Sequence, residues 1–141
     1  MTRHFASVTA DTFKRCAAAS VFTMRSGLNF FESPYDGSPM QELNESKNDW
    51  LSIIFGQSMA ARPGEEWAYN SGGFIALGAV IHATAKEPAD SFATHTLFKK
   101  LGISDYTWYE GQPDHLPHMS NGLMINSPDM ARIGYLMLRN G

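Results

Sequence analysis

The 141-residue sequence contains a single cysteine, Cys16, so it has no internal disulfide and no cysteine pair for a zinc knuckle or a Cys-x-x-Cys redox motif. It has little net charge: 11 Lys and Arg against 14 Asp and Glu give −3. Without a basic block, a nucleic-acid or anionic-membrane surface is not indicated. Its most apolar run, residues 74–81, is far shorter than the roughly 20 residues that span a bilayer. We therefore predict neither a nucleic-acid partner nor a membrane span.

The composition is that of a folded protein. Apolar residues make up 43% of the chain and charged residues 18%, which allows a packed core and one domain or part of a larger one. The N-terminus has no apolar run that ends in a small-residue cleavage site, so no signal peptide is predicted and the compartment stays unassigned.

Helical patterns dominate the sequence. An alanine-rich segment follows Asp11, and an apolar face recurs after residue 49. The run 74–86 is apolar on nearly every side, which predicts a buried helix. Pro88 and Gly102 bracket a further helix, and Asn126 or Ser127 caps the last one. The predicted helices are 10–22, a short one from 50, 74–86, 88–101 and one from Pro128 up to Gly141. Residues 25–47 are predicted to be a long irregular connection, and residues 106–109 a short strand.

The segment 63–73 is unusually structured for a loop that enters a helix. Pro-Gly forms a turn, and Tyr69 presents a phenol beside Asn70 and Ser71 at a helix N-terminus. A tyrosine held there could transfer a proton if a neighbouring cation stabilised its phenolate. The alternative is that Tyr69 is a half-buried packing residue, that Ser71 is the N-cap, and that the glycines allow tight packing.

Four blocks of sequence occur in an informative order. The first is Pro-Gly, an aromatic residue, Tyr-x-Ser and a Gly-rich apolar helix within residues 63–81. The others are Thr-x-x-Ser-Gly-Leu at 23–28, Leu-Phe-x-x-Leu-Gly-Ile at 97–103, and Gly-Leu with Ser-Pro-Asp-Met-Ala-Arg within 122–132. Together they resemble the serine β-lactamase-like and penicillin-binding superfamily, in particular its class C-type hydrolases and esterases. The resemblance covers roughly residues 22–141.

The resemblance implies a fold and two site residues. The fold would be mainly α: the helical region of a β-lactamase-like α/β (α+β) fold, with most of the antiparallel sheet absent from this chain. Residues 1–17 would be an unmatched N-terminal segment, and residues 18–141 a partial β-lactamase-related domain. Tyr69 would be the catalytic proton-relay phenol, and Ser71 would bind substrate at a position where asparagine is commoner. No cofactor is implied.

Two motifs that such a hydrolase needs are not in the sequence. No serine is followed by lysine three residues on, and no Lys-Thr-Gly or His-x-Gly triplet occurs. We therefore expect the mainly helical middle of a larger serine hydrolase that acts on a small acyl substrate and is inactive alone. The alternative is a non-catalytic domain derived from that fold, which binds a ligand or a partner. Helices without their sheet would also expose an apolar face and favour self-association.

Other candidate sites have weaker support. Asp114, His115 and His118 have a spacing seen in zinc sites, but Pro117 opposes a helical geometry, and a solvated loop is the prediction. We assign no metal ligand. His82 and His95 lie in predicted helices, where a structural role is commoner than a catalytic one, and neither receives a function.

Overall fold

The computed structural model describes residues 18–46, 50–110 and 117–141. Short helices precede one long helix, which is followed by a helical segment, a hairpin-like strand pair and a final helix. The helices are α1 Ala18–Phe22, α2 Pro39–Glu45, α3 Trp50–Gly56, α4 Ser71–Ala85, α5 Ala89–Ala93, α6 Lys99–Leu101 and α7 Ser127–Leu138; a π-helical turn, Thr94–Phe98, joins α5 to α6, and the strands are β1 Tyr106–Trp108 and β2 Leu123–Ile125.

The chain divides into two compact units, Met1–Leu77 and Gly78–Gly141. The first unit contains one buried apolar cluster, to which α1, α2, α3 and the first half of α4 all contribute. The predicted apolar face of α3 is confirmed, because Trp50 and Ile54 are buried and Ile53 packs against them. The most deeply buried side chains of the cluster are Phe30, Leu43, Ile54 and Ile75.

The second unit is built around Phe98 and the two strands. Phe98 is 2% exposed, and its ring lies 4.7 Å from that of Tyr106 and 6.5 Å from that of Trp108. The strands β1 and β2 pair antiparallel, with Thr107 opposite Met124. The predicted strand and the predicted stop at Gly102, which has a left-handed φ of 69°, are both confirmed.

The prediction of an irregular connection over 25–47 is wrong in one part, because α2 lies inside it. Ser38 caps this helix by accepting a hydrogen bond from the Gln41 N–H at 3.0 Å. Pro39 occupies the first turn, where its missing N–H costs nothing. Gly37 and Pro39 are typical of irregular chain, but Pro39 follows the capping Ser38 here and begins a helix.

The prediction that 74–86 is buried all round holds for only half of the helix. Ile75, Ala76 and Leu77 are buried, whereas Val80 is 37% exposed and residues 82–84 are exposed. Alanine, threonine and histidine in the second half tolerate solvent, which a pattern based on apolar character does not distinguish.

The described part of the chain is mainly α-helical and contains one two-stranded antiparallel sheet. The structure therefore confirms the predicted fold class. None of the described helices is long and apolar enough to cross a membrane.

Candidate active site

The loop that leads to Tyr69 is held by the segment just after α1. The N–H of Gly64 donates to the Arg25 carbonyl at 2.8 Å, and the N–H of Ala68 donates to the Met24 carbonyl at 2.9 Å. The Arg25 guanidinium donates to the Glu65 carbonyl at 3.1 Å. Because main-chain and side-chain bonds act together, the loop has a fixed course up to the residue before Tyr69.

Asn70, the residue that follows Tyr69, is held in place by hydrogen bonds of its side chain. Its side chain is buried, and its Oδ1 accepts from the Gly73 N–H at 2.8 Å, which is the hydrogen bond of an N-cap. Its Nδ2 donates to the Oγ of buried Ser26 at 3.2 Å. The interpretation of Ser71 as the N-cap is therefore wrong. An asparagine amide accepts and donates at once, so it caps α4 and also ties the helix to a distant segment.

Glu32 completes the N-terminus of α4. One of its carboxylate oxygens accepts from the Ser71 main-chain N–H at 2.6 Å. A negative charge at this end of a 15-residue helix interacts favourably with the helix dipole. The first turn of α4 is thus bonded to residues 26 and 32, which lie about 40 positions earlier in the chain.

Tyr69 lies at a cavity of about 320 Å³ and is 55% exposed. The walls are mostly apolar, and Glu32 is the only Asp, Glu, Lys or Arg among the described lining residues. The cavity is lined by Leu28, Asn29, Phe30, Phe31, Glu32, Ser33, Ala60, Ala68 and Tyr69. An exposed phenol at an apolar cavity, beside a fixed helix start, can meet a small ligand directly.

The structure separates the two site residues that the sequence suggested. Tyr69 lines the cavity, whereas Ser71 is 6% exposed and is not among the lining residues. Sequence reasoning did not assign Asn70, Ser26 or Glu32 to the site. For Ser26 a signal existed, because it belongs to the Ser-Gly-Leu block. For Glu32 no local pattern pointed to a helix start 39 residues later.

The second candidate, at His118, has the features of a structural residue. Asp114 and His115 lie outside the described residues. The solvated-loop prediction is wrong for His118, which is buried, with Nδ1 3.0 Å from the Ser120 Oγ. Burial lowers the pKa of His118 below its ordinary value, which favours the neutral ring. Within 18–46, 50–110 and 117–141, no group of three or more potential metal ligands comes together.

The comparison with protein families agrees with the four sequence blocks. The family model described as Beta-lactamase matches residues 2–140. The chain therefore belongs to the Beta-lactamase family, which is a family of serine β-lactamase-like hydrolases. The match includes residues 2–17, where we recognised no family motif, and the domain boundary at residue 17 stays a prediction. No curated protein matches the chain significantly.

Proposed function

We propose that this chain supplies the tyrosine-bearing helical region of a β-lactamase-related serine hydrolase. The reaction would be hydrolysis of an ester, amide or β-lactam through a serine acyl-enzyme. One observation carries the proposal: the Tyr69 phenol is exposed at an apolar cavity, while hydrogen bonds of buried Asn70 to Gly73 and Ser26 hold the next residue in place. A proton relay needs this combination of access and fixed position.

In this proposal Tyr69 carries the proton between the nucleophilic serine and the leaving group. The described lining residues include no Lys or Arg, so the cation that would support such a phenol comes from outside this cavity wall. The lysine of a Ser-x-x-Lys motif would supply it, and the sequence contains no such motif. Ser71 would contact substrate. Because Ser71 is buried, we expect its substitution to lower turnover less than substitution of Tyr69 does.

The first test is covalent labelling of the 141-residue chain. We expect no mass increase after treatment with a fluorophosphonate or, separately, with a penicillin, because the nucleophile motif is missing. In a hydrolase whose residues act as a unit, loss of the nucleophile costs on the order of 10⁶ in turnover. A stoichiometric adduct, mapped by peptide digestion to one serine, would show a working nucleophile and overturn the proposed inactivity.

The alternative function is a non-catalytic domain that binds a ligand or a partner in the same cavity. The reading frame on both sides of the coding sequence discriminates the two. If it encodes Ser-x-x-Lys, the extended protein should be labelled, and Tyr69→Phe should slow labelling by about 10²-fold or more, with a smaller effect of Ser71→Ala. Labelling that is unaffected by Tyr69→Phe would remove the relay role, and a frame without the motif would favour the binding domain.

A further inference from the structure

The cavity beside Tyr69 has an uneven chemical character. Most of its wall is apolar, including Leu28, Phe31 and Ala60, and the charged group in the described lining is the partly buried carboxylate of Glu32. At about 320 Å³ the cavity is about twice the volume of one that holds benzene. It therefore has room for an aromatic ring with a short alkyl chain.

Two of the main-chain N–H groups at the start of α4, which could otherwise bind an anion, are already hydrogen-bonded. A helix N-terminus binds carboxylates through its free N–H groups. In α4 the Ser71 N–H is bonded to Glu32, and the Gly73 N–H is bonded to Asn70. A carboxylate on a ligand would therefore find neither of these donors, and it would approach the negative charge of Glu32.

A positively charged ligand group, unlike a carboxylate, finds groups in this cavity that attract it. The carboxylate of Glu32 uses one oxygen for the Ser71 N–H, which leaves further lone pairs that can accept from an ammonium group. Phe31 and Tyr69 also line the cavity, and the face of an aromatic ring attracts a cation.

We propose that the cavity beside Tyr69 binds an apolar group that is neutral or positively charged, and that Glu32 excludes carboxylates from it. The inference deepens the proposed function and rests on it, because it takes this cavity as the part of the acyl site next to the proton-relay phenol. It assigns to Glu32 a role in substrate selection in addition to its bond with α4.

The test compares three ligands that share one apolar body. Binding of 4-phenylbutylamine, 4-phenylbutanol and 4-phenylbutyrate to the 141-residue chain is measured at pH 7 by NMR titration. The Tyr69 ring resonance, assigned through its loss in Tyr69→Phe, reports the site. We expect all three to shift it, with the amine about threefold tighter than the alcohol and about tenfold tighter than the carboxylate. A carboxylate that binds as tightly as the amine, or ligands that leave the Tyr69 resonance unchanged, would overturn the proposal.

A matched pair of variants isolates the charge of Glu32. Glu32→Gln retains an oxygen that can accept from the Ser71 N–H, so the helix start is preserved while the charge is lost. The ratio of amine to carboxylate affinity should fall several-fold towards one, with the alcohol unchanged, and the rings of Phe31 and Tyr69 account for any preference that remains. Glu66→Gln removes an equal charge from an exposed position outside the described lining, and should leave the ratio unchanged. Equal effects of the two variants would refute a specific role of Glu32.

Salt provides a readout that needs no variant. In the native chain the preference for the amine should shrink between 20 mM and 500 mM NaCl, because the Debye length falls several-fold over this range. A preference that is constant with salt would contradict an electrostatic origin. Failure of the proposed function would appear in the labelling experiments and would leave the ligand order intact, whereas failure of this inference would leave labelling unaffected.

Discussion

Two helices of this chain begin with the same residue type and the same hydrogen bond, but their surroundings differ. Asn70 accepts from the N–H three residues on at 2.8 Å, and Asn126 does so at 2.9 Å. The remaining amide group of Asn126 donates to Asp129, within its own helix. The remaining amide group of Asn70 donates instead to Ser26, 44 residues away. One cap is local, and the other joins distant segments.

The carboxylates at the two helix starts differ in the same way. The first turn of α7 carries its own acid, Asp129, which pairs with Arg132 one turn later. The first turn of α4 has no acidic residue, and Glu32 supplies the charge from 39 residues earlier. A helix start that depends on distant groups is positioned by the tertiary structure, which is the property that the proposed proton relay at Tyr69 requires.

The largest effect is expected when the two asparagines are compared. Asn70→Ala should lower the free energy of unfolding by about 2 to 3 kcal/mol, since it removes a cap and a buried hydrogen bond. Asn126→Ala should cost about 1 kcal/mol, since it removes mainly the cap. Equilibrium unfolding in urea measures both.

Ser26→Ala separates the tertiary contribution from the cap. It removes the acceptor of the Asn70 Nδ2 group and, at 3.3 Å, of the Leu28 N–H, and it leaves the bond to Gly73. It should therefore cost about 1 to 2 kcal/mol. If Asn70→Ala and Asn126→Ala lowered stability equally, the bond between Asn70 and Ser26 would contribute nothing to folding.

The difference between local and distant hydrogen bonds also explains which helix start could be predicted from the sequence. The predicted start of α7 at Asn126 or Ser127 is confirmed, because its cap, its proline and its acid lie within four consecutive residues. The alternative in which Ser71 caps α4 is wrong, because the choice between Asn70 and Ser71 depends on the distant residues Ser26 and Glu32. Hydrogen bonds across about 40 residues leave no periodic pattern.

In the candidate site, too, the local part could be predicted from the sequence and the part formed by distant segments could not. Tyr69 was identified from a local motif, and the structure places it at a cavity. The cavity itself could not be predicted, because its walls come from three separate stretches, 28–33, 60 and 68–69. Their proximity follows from the loop bonds to Met24 and Arg25 and from the core around Phe30, which are properties of the folded chain.

Glycine-to-alanine substitutions in α4 and α7 should change the stability of the chain in opposite directions. A Cβ on Gly72, in the first turn of α4, would lie 2.8 Å from ring carbons of buried Phe30. Gly72→Ala should therefore destabilise the chain by about 1 to 2 kcal/mol. A Cβ on Gly134, in α7, would meet nothing within 4 Å, so Gly134→Ala should stabilise by about 0.5 to 1 kcal/mol through helix propensity. Thermal unfolding of both variants measures the signs, and a stabilising Gly72→Ala would show that α4 is not tightly packed at its start.

The smallest effect is expected at a helix start with no side-chain cap. Pro88 precedes α5 without such a bond, and Glu87 instead accepts from the Ser91 Oγ at 3.0 Å and lies 2.7 Å from the His95 Nε2. The hydrogen bond with His95 lowers the pKa of Glu87 below 4.5, so the stabilisation is present above about pH 4.5 and is lost as the pH falls through the folded-state pKa. Unfolding midpoints between pH 3 and pH 7 should show Glu87→Gln slightly less stable than the native chain at pH 7 and equal to it at pH 3. A difference that stays constant over this range, or one that Glu66→Gln reproduces, would mean that the ionised carboxylate of Glu87 does not stabilise this helical segment.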